Sequence, residues 1–174
     1  WDFKSFDVKW FEGATLNITE NCLDRHLEKN GDTPAIIWEP NDPNGKGCTL
    51  TYKELHQEVC KASNMLKRLG VKKGDRVCIY MPMTPELAYT VLACARIGAI
   101  HSVVFAGFSA QSLSDRINDA QCSLLVTADG GYRGQKITPL KAIVDQALIS
   151  CLTIRRVLVL QRTGLKVSMK SGRD

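Results

Sequence analysis

Apolar residues recur at steps of three and four from Leu55 through Val59, Ala62 and Leu66 to Leu69, the spacing that lays one stripe along a helix. Thr51 and Glu54 form a capping box just ahead of that stripe and Gly70 follows it, so the pattern predicts a helix with both ends marked. Upstream, residues 17–30 put Ile18, Cys22, Leu23 and Leu27 on one face before Gly31, which predicts another helix. Two strand-like runs, 35–38 and 48–51, enclose a stretch from Glu39 to Gly47 dense in Pro, Asn, Asp and Gly, which predicts a hairpin. Beyond Gly70 the pattern alternates. Strands are predicted over 77–80, 100–105, 122–127 and 155–160. Helices are predicted from Thr84-Pro85-Glu86 to Gly98, from an N-cap at Ser109 to Ala120, and over 139–148. Strands alternating with helices predict the α/β class, a parallel sheet with flanking helices and right-handed crossovers. Residues 1–16 have no sustained period but carry Trp1, Phe3, Phe6, Trp10 and Phe11, an aromatic arm expected to pack on a neighbouring surface.

Composition narrows the picture. In 174 residues, 44% hydrophobic and 24% charged content is that of a globular chain with one ordinary core. No apolar run reaches the roughly 18 residues of a membrane span. The longest, 97–105, is interrupted by Gly98, His101 and Ser102. A net charge of +5 is a mild excess, and the basic positions lack the interleaved aromatics of a single-strand binder, so neither membrane nor nucleic acid is expected as a partner. Seven scattered cysteines without a CxxC pair argue against zinc and for a reducing compartment, the cytoplasm first and the mitochondrial matrix as the alternative. The first residue is Trp1 and the last five are Lys170 to Asp174, and both ends read as cut from a longer polypeptide.

Candidate chemistry concentrates in Ala128-Asp129-Gly130-Gly131-Tyr132-Arg133-Gly134-Gln135-Lys136, which is expected to be a glycine-rich loop between the 122–127 strand and a helix announced by Thr138-Pro139. At the carboxyl end of a strand, glycines admit close approach and Arg133 and Lys136 offer donors to an anion. A GxGxxG fingerprint is absent, and a Walker A loop read from Gly130 fails at Gln135, where glycine is required. Phe105-Ala106-Gly107-Phe108-Ser109 reads as a tight strand-to-helix turn that could also wall a ligand. His101, on an apolar strand, reads as a packed core histidine. Asp115, Asp119 and Asp129 show no acid/base arrangement, and no catalytic or metal-ligating residue is assigned.

Several stretches in collinear order resemble the AMP-forming acetyl-CoA synthetases of the adenylate-forming acyl-CoA synthetase superfamily. They include Trp10-Phe11-Glu12-Gly13, Asn21-Cys22-Leu23-Asp24-Arg25-His26-Leu27, Leu50-Thr51-Tyr52-Lys53-Glu54-Leu55, Gly74-Asp75-Arg76-Val77 and Met81-Pro82-Met83-Thr84-Pro85-Glu86. His101 to Ser109, Asp115-Arg116-Ile117 and the Arg133 segment complete the set. The resemblance implies that residues 1–50 are the N-terminal extension of that family and 51–174 the start of its AMP-binding domain. It implies a ligase that joins acetate to coenzyme A at the expense of ATP with Mg²⁺, through acetyl-adenylate. Its partners are those small molecules and the rest of its own polypeptide. By the same resemblance Phe105, Ala106, Gly107, Arg133, Gly134, Gln135 and Lys136 belong to the coenzyme A site. The chain departs from the family pattern at Ala106, usually Gly, and at Lys136, often Arg. The ATP loop, acid pocket and catalytic lysine of the family are expected beyond Asp174, which leaves the chain by itself without activity. A propionate or other short-chain ligase is the near alternative. A non-catalytic α/β module binding a phosphorylated effector or a partner protein is the alternative of another class.

Overall fold

A computed structural model describes residues 8–174. Asn17 caps α1 (Ile18–Cys22), its side chain accepting from the Thr19 backbone N–H at 3.1 Å. The helix expected to run to residue 30 instead breaks at Leu23. A 3₁₀ turn (Asp24–His26) and the short α2 (Leu27–Asn30) follow. The break has two beneficiaries. Leu23 sinks beside Leu55 and Val59, and Asp24 accepts two hydrogen bonds from Arg96 at 3.0 and 3.2 Å. Of the aromatic arm, Trp1, Phe3 and Phe6 lie outside the described residues. Trp10 and Phe11 stand exposed rather than packed.

β1 (Pro34–Trp38) and β2 (Cys48–Thr51) form the expected antiparallel hairpin. Thr51 then starts α3 (Tyr52–Arg68) with its capping box complete: Glu54 N–H donates to Thr51 Oγ1 at 3.2 Å, and Thr51 N–H to the Glu54 carboxylate at 2.8 Å. Next come β3 (Arg76–Tyr80), α4 (Pro85–Arg96), β4 (Ile100–Val103), α5 (Ala110–Ala120) and β5 (Leu124–Ala128). Two short strands, β6 (Gly131–Arg133) and β7 (Lys136–Thr138), precede α6 (Leu140–Ala147) and β8 (Arg156–Leu160). Four strands pair in parallel, in the order β4–β3–β5–β8.

Period-two alternation along β3 sorts the core into two halves. Val77, Ile79 and Met81 face Leu66 of α3 and Ala93 and Cys94 of α4. Cys78 and Tyr80 face Leu113 and Ile117 of α5 and Val144 of α6. The sheet is thus covered on both faces, each buried Leu or Ile contributing roughly 1.5–3 kcal/mol before chain entropy. β4 ends the sheet on one side, which leaves Ile100 and Val103 largely exposed. His101, expected to be a packed core histidine, is exposed on that same edge strand.

The strand order positions the site. From β3 the chain crosses to β4 on one side, while from β5 it crosses to β8 on the other. The connections leaving β3 and β5 therefore diverge and open a crevice above the carboxyl ends of these neighbours, the switch point where open α/β sheets take ligands.

Candidate functional site

A cavity of about 410 Å³ occupies that crevice. Met83 comes from the segment after β3, Phe105, Ala106 and Gly107 from the segment after β4, and Tyr132 and Arg133 from β6. A second hollow, about 450 Å³, lies at the opposite end of the sheet, among residues such as Gly70, Arg76 and Ser123. Ligands of open sheets bind beyond the carboxyl ends of the strands, so the 410 Å³ crevice is the candidate.

The Phe105 wall is held from below. Tyr80, fully buried, donates its hydroxyl to the Phe108 carbonyl at 2.8 Å, and burial pushes its pKa up. Phe108 meets Phe105 edge-on, with ring centroids 5.8 Å apart. The Phe105 ring lies so close over Gly107 that a Cβ there would collide with ring atom Cε1. Ala106 is half-buried, packs against the core and still lines the cavity. Ser109 caps α5 as expected, accepting from the Ser112 N–H at 3.3 Å.

The segment expected to be a glycine-rich loop is a β-hairpin. β6 and β7 pair Gly131 with Thr138, Tyr132 with Ile137 and Arg133 with Lys136. Gly134 begins the two-residue turn with φ 60°, the left-handed region that favours glycine. Pairing sets Arg133 and Lys136 directly opposite each other, so their side chains leave the same face. Both are exposed, and neither has an ion-pair partner among the described residues. Of the residues singled out from sequence, Phe105, Ala106, Gly107 and Arg133 share the cavity wall. Gly134, Gln135 and Lys136 lie outside that wall, on the hairpin turn and its return strand.

Several contacts around the cavity escaped the sequence reading. The Arg162 guanidinium lies over the Trp38 ring at 4.9 Å and over the Tyr132 ring at 5.8 Å, and all three line the cavity. Trp38 donates Nε1–H to the Met83 carbonyl at 2.9 Å. Asp129, buried behind the hairpin, accepts from the backbone N–H groups of Gly130, Arg162, Thr163 and Gly164 at 2.6–3.1 Å. Burial pushes its carboxyl up, but these four donors outweigh it and hold the pKa below its ordinary value. Apart from the Asp129–Gly130 bond, these contacts join segments far apart in the chain, so nothing in the residue spacing announces them.

The model of the AMP-binding enzyme family matches residues 23–171. The chain belongs to that family. Among AMP-binding enzymes it is 54% identical over 173 residues to the acetyl-coenzyme A synthetase of Alkalilimnicola ehrlichii, an overlap of 99% of this chain and 27% of the relative. It is 56% identical over 167 residues to the acetyl-coenzyme A synthetase of Nostoc linckia, covering 96% of this chain and 49% of that one. The solved acetoacetyl-CoA synthetase from Streptomyces lividans superposes with a TM-score of 0.85 at 30% identity, over 95% of this chain and 25% of that structure. The chain therefore spans between a quarter and a half of the length of these relatives. Among the described residues, no helix is long and apolar enough to cross a membrane.

Proposed function

We propose that the protein carrying this chain is an AMP-forming acetate–CoA ligase, and that this part of it supplies one wall of the coenzyme A site. In that reaction an acetate oxygen attacks the α-phosphorus of ATP, the bond to pyrophosphate breaks, and acetyl-adenylate forms. The coenzyme A thiol then attacks the acetyl carbon and AMP leaves. The observation that carries the reading is the pairing of Arg133 with Lys136 across a hairpin that borders the switch-point cavity. Like charges opposed across a strand pair are unfavourable by themselves, and a phosphate turns that repulsion into attraction. Arg133 can hold a phosphate through two parallel N–H donors, while Lys136 adds a point charge. Phe105, 64% exposed, offers an aromatic face for the adenine, and Ala106 and Gly107 line the wall beside it. Gly134 and Gln135 form the turn between the two cations. The acetyl-coenzyme A synthetases of A. ehrlichii and N. linckia support the choice of acid.

On this reading residues 1–50 are an extension, residues 51–174 begin the adenylate-forming domain, and the rest of the polypeptide brings the ATP loop and covers the exposed edge of β4. Among the described residues no group of three or more His, Cys, Asp or Glu could hold a metal ion. Seven free cysteines favour the cytoplasm.

Replacing Arg133 by Ala in the full-length protein tests the assignment. Acetate-dependent ATP–pyrophosphate exchange, which needs no coenzyme A, is expected to persist. The KM for coenzyme A is expected to rise about ten- to a hundredfold, the loss of one charge-assisted contact. Loss of both half-reactions together would make Arg133 a structural residue. Running the exchange with propionate in place of acetate decides the acid.

A further inference from the structure

The β6–β7 hairpin is poorly equipped to hold its own shape. Its strands have three residues each, and Tyr132 and Ile137 are 46% and 40% exposed. An isolated two-stranded pair is marginal in water, and the Arg133–Lys136 repulsion weakens it further. Gly131 abuts Pro82 and Leu140 at the base of the hairpin, and its tip and first strand are held from the β1–β2 hairpin at the other end of the sequence. Asn41, in the β1–β2 turn, donates its side-chain amide to the Gly134 carbonyl at the β6–β7 tip, at 2.8 Å. Trp38, at the end of β1, is itself fixed by its bond to the Met83 carbonyl and lies 4.9 Å beneath the Arg162 guanidinium. That guanidinium also lies over Tyr132, the residue before Arg133, at 5.8 Å. One hairpin thus holds the other at its tip and, through Arg162, in its first strand.

We propose that the β1–β2 hairpin positions the basic hairpin for its anion, with Asn41 and Trp38 as positioning residues. The proposal rests on the coenzyme A reading of the cavity. A polyanion is bound tightly only if its cations are already in place, because ordering them on binding costs affinity. Asn41 fixes the turn through one neutral hydrogen bond. Trp38 fixes the strand through a stack that survives exchange of the indole for another aromatic ring but not for a methyl group. With either contact gone, Arg133 and Lys136 keep their charges but sample more orientations.

Two measurements on the full-length protein test this. One is amide exchange over residues 131–138 without ligand, and the other is the Kd of coenzyme A by calorimetry. Asn41→Ala and Trp38→Ala are expected to speed exchange in β6–β7 and to weaken coenzyme A about three- to tenfold. Trp38→Phe is expected to retain most of the affinity that Trp38→Ala loses. Adding Asn41→Ala to Arg133→Ala is expected to weaken binding less than it does in the otherwise unchanged protein, since Asn41 acts through the strand that carries Arg133. Unchanged exchange and affinity in both alanine variants, with Arg133→Ala still weak, would overturn the positioning role and leave the coenzyme A reading standing. Weaker binding with unchanged exchange would also overturn it, by making Asn41 a direct ligand contact. If Arg133→Ala binds coenzyme A normally, the coenzyme A reading itself falls. Should Trp38→Ala not fold, Asn41→Ala and Trp38→Phe decide.

Discussion

Asp129 ties the back of the cavity to the segment that brings in Arg162. Its carboxylate gathers four backbone N–H groups, three of them from residues 162–164, and its own carbonyl accepts from Lys141 N–H at the start of α6. An amide at this position keeps one acceptor oxygen and loses the charge, so Asp129→Asn is expected to cost about 1.5–3 kcal/mol in urea unfolding. The pH dependence has a fixed sign. The folded pKa is depressed, so the contribution is complete above the ordinary carboxylate range and is lost as pH falls through the folded value. The stability gap between wild type and Asp129→Asn should narrow in acid. A gap constant with pH would show that the charge is not what holds the turn. Tyr80→Phe removes the donor to the Phe108 carbonyl and is expected to cost about 1 kcal/mol, measured the same way. Sequence made Phe105, Gly107 and Arg133 visible because each belongs to a local pattern: a strand-to-helix turn, or a cation among glycines. Asp129 and Arg162 were not visible, because their roles depend on a contact between distant segments.

Among the elements, those with a complete local signature formed as read. α3 has a stripe, a capping box and a glycine stop, and it runs from Tyr52 to Arg68. Thr51→Ala should cost about 1 kcal/mol in the same unfolding assay, the usual worth of an N-cap. The elements misread are those where tertiary demand outweighs local pattern. α1 stops because Leu23 and Asp24 are drawn to separate partners, a core pocket and Arg96. The β6–β7 hairpin was hidden because three-residue strands carry no measurable alternation, and glycine at 130, 131 and 134 reads as loop. His101 was misplaced because alternation reports a strand but not whether it lies at the edge of the sheet. Gly134 is the element's fixed point. With φ 60°, Gly134→Ala should destabilise the hairpin by about 1 kcal/mol and raise amide exchange over 131–138 before any change in α3 or α4.

At the scale of the whole molecule, the strand order β4–β3–β5–β8 explains why the Phe105 and Arg133 segments, read separately in the sequence, reach one crevice. Alternating strands and helices announced a parallel sheet, but the order in which strands pair is set by long-range packing that the pattern does not record. In that crevice Phe105 and Arg133 line one cavity, while Lys136 stands opposite Arg133 on the return strand of the hairpin. On the proposed function, Arg133 and Lys136 together receive a phosphate of coenzyme A. The Kd of coenzyme A for the full-length protein and for Arg133→Ala/Lys136→Ala, by titration calorimetry at low and high salt, tests this. The double variant is expected to bind at least about tenfold more weakly and with a shallower salt dependence. Equal affinity and an equal salt dependence in the two proteins would contradict the assignment.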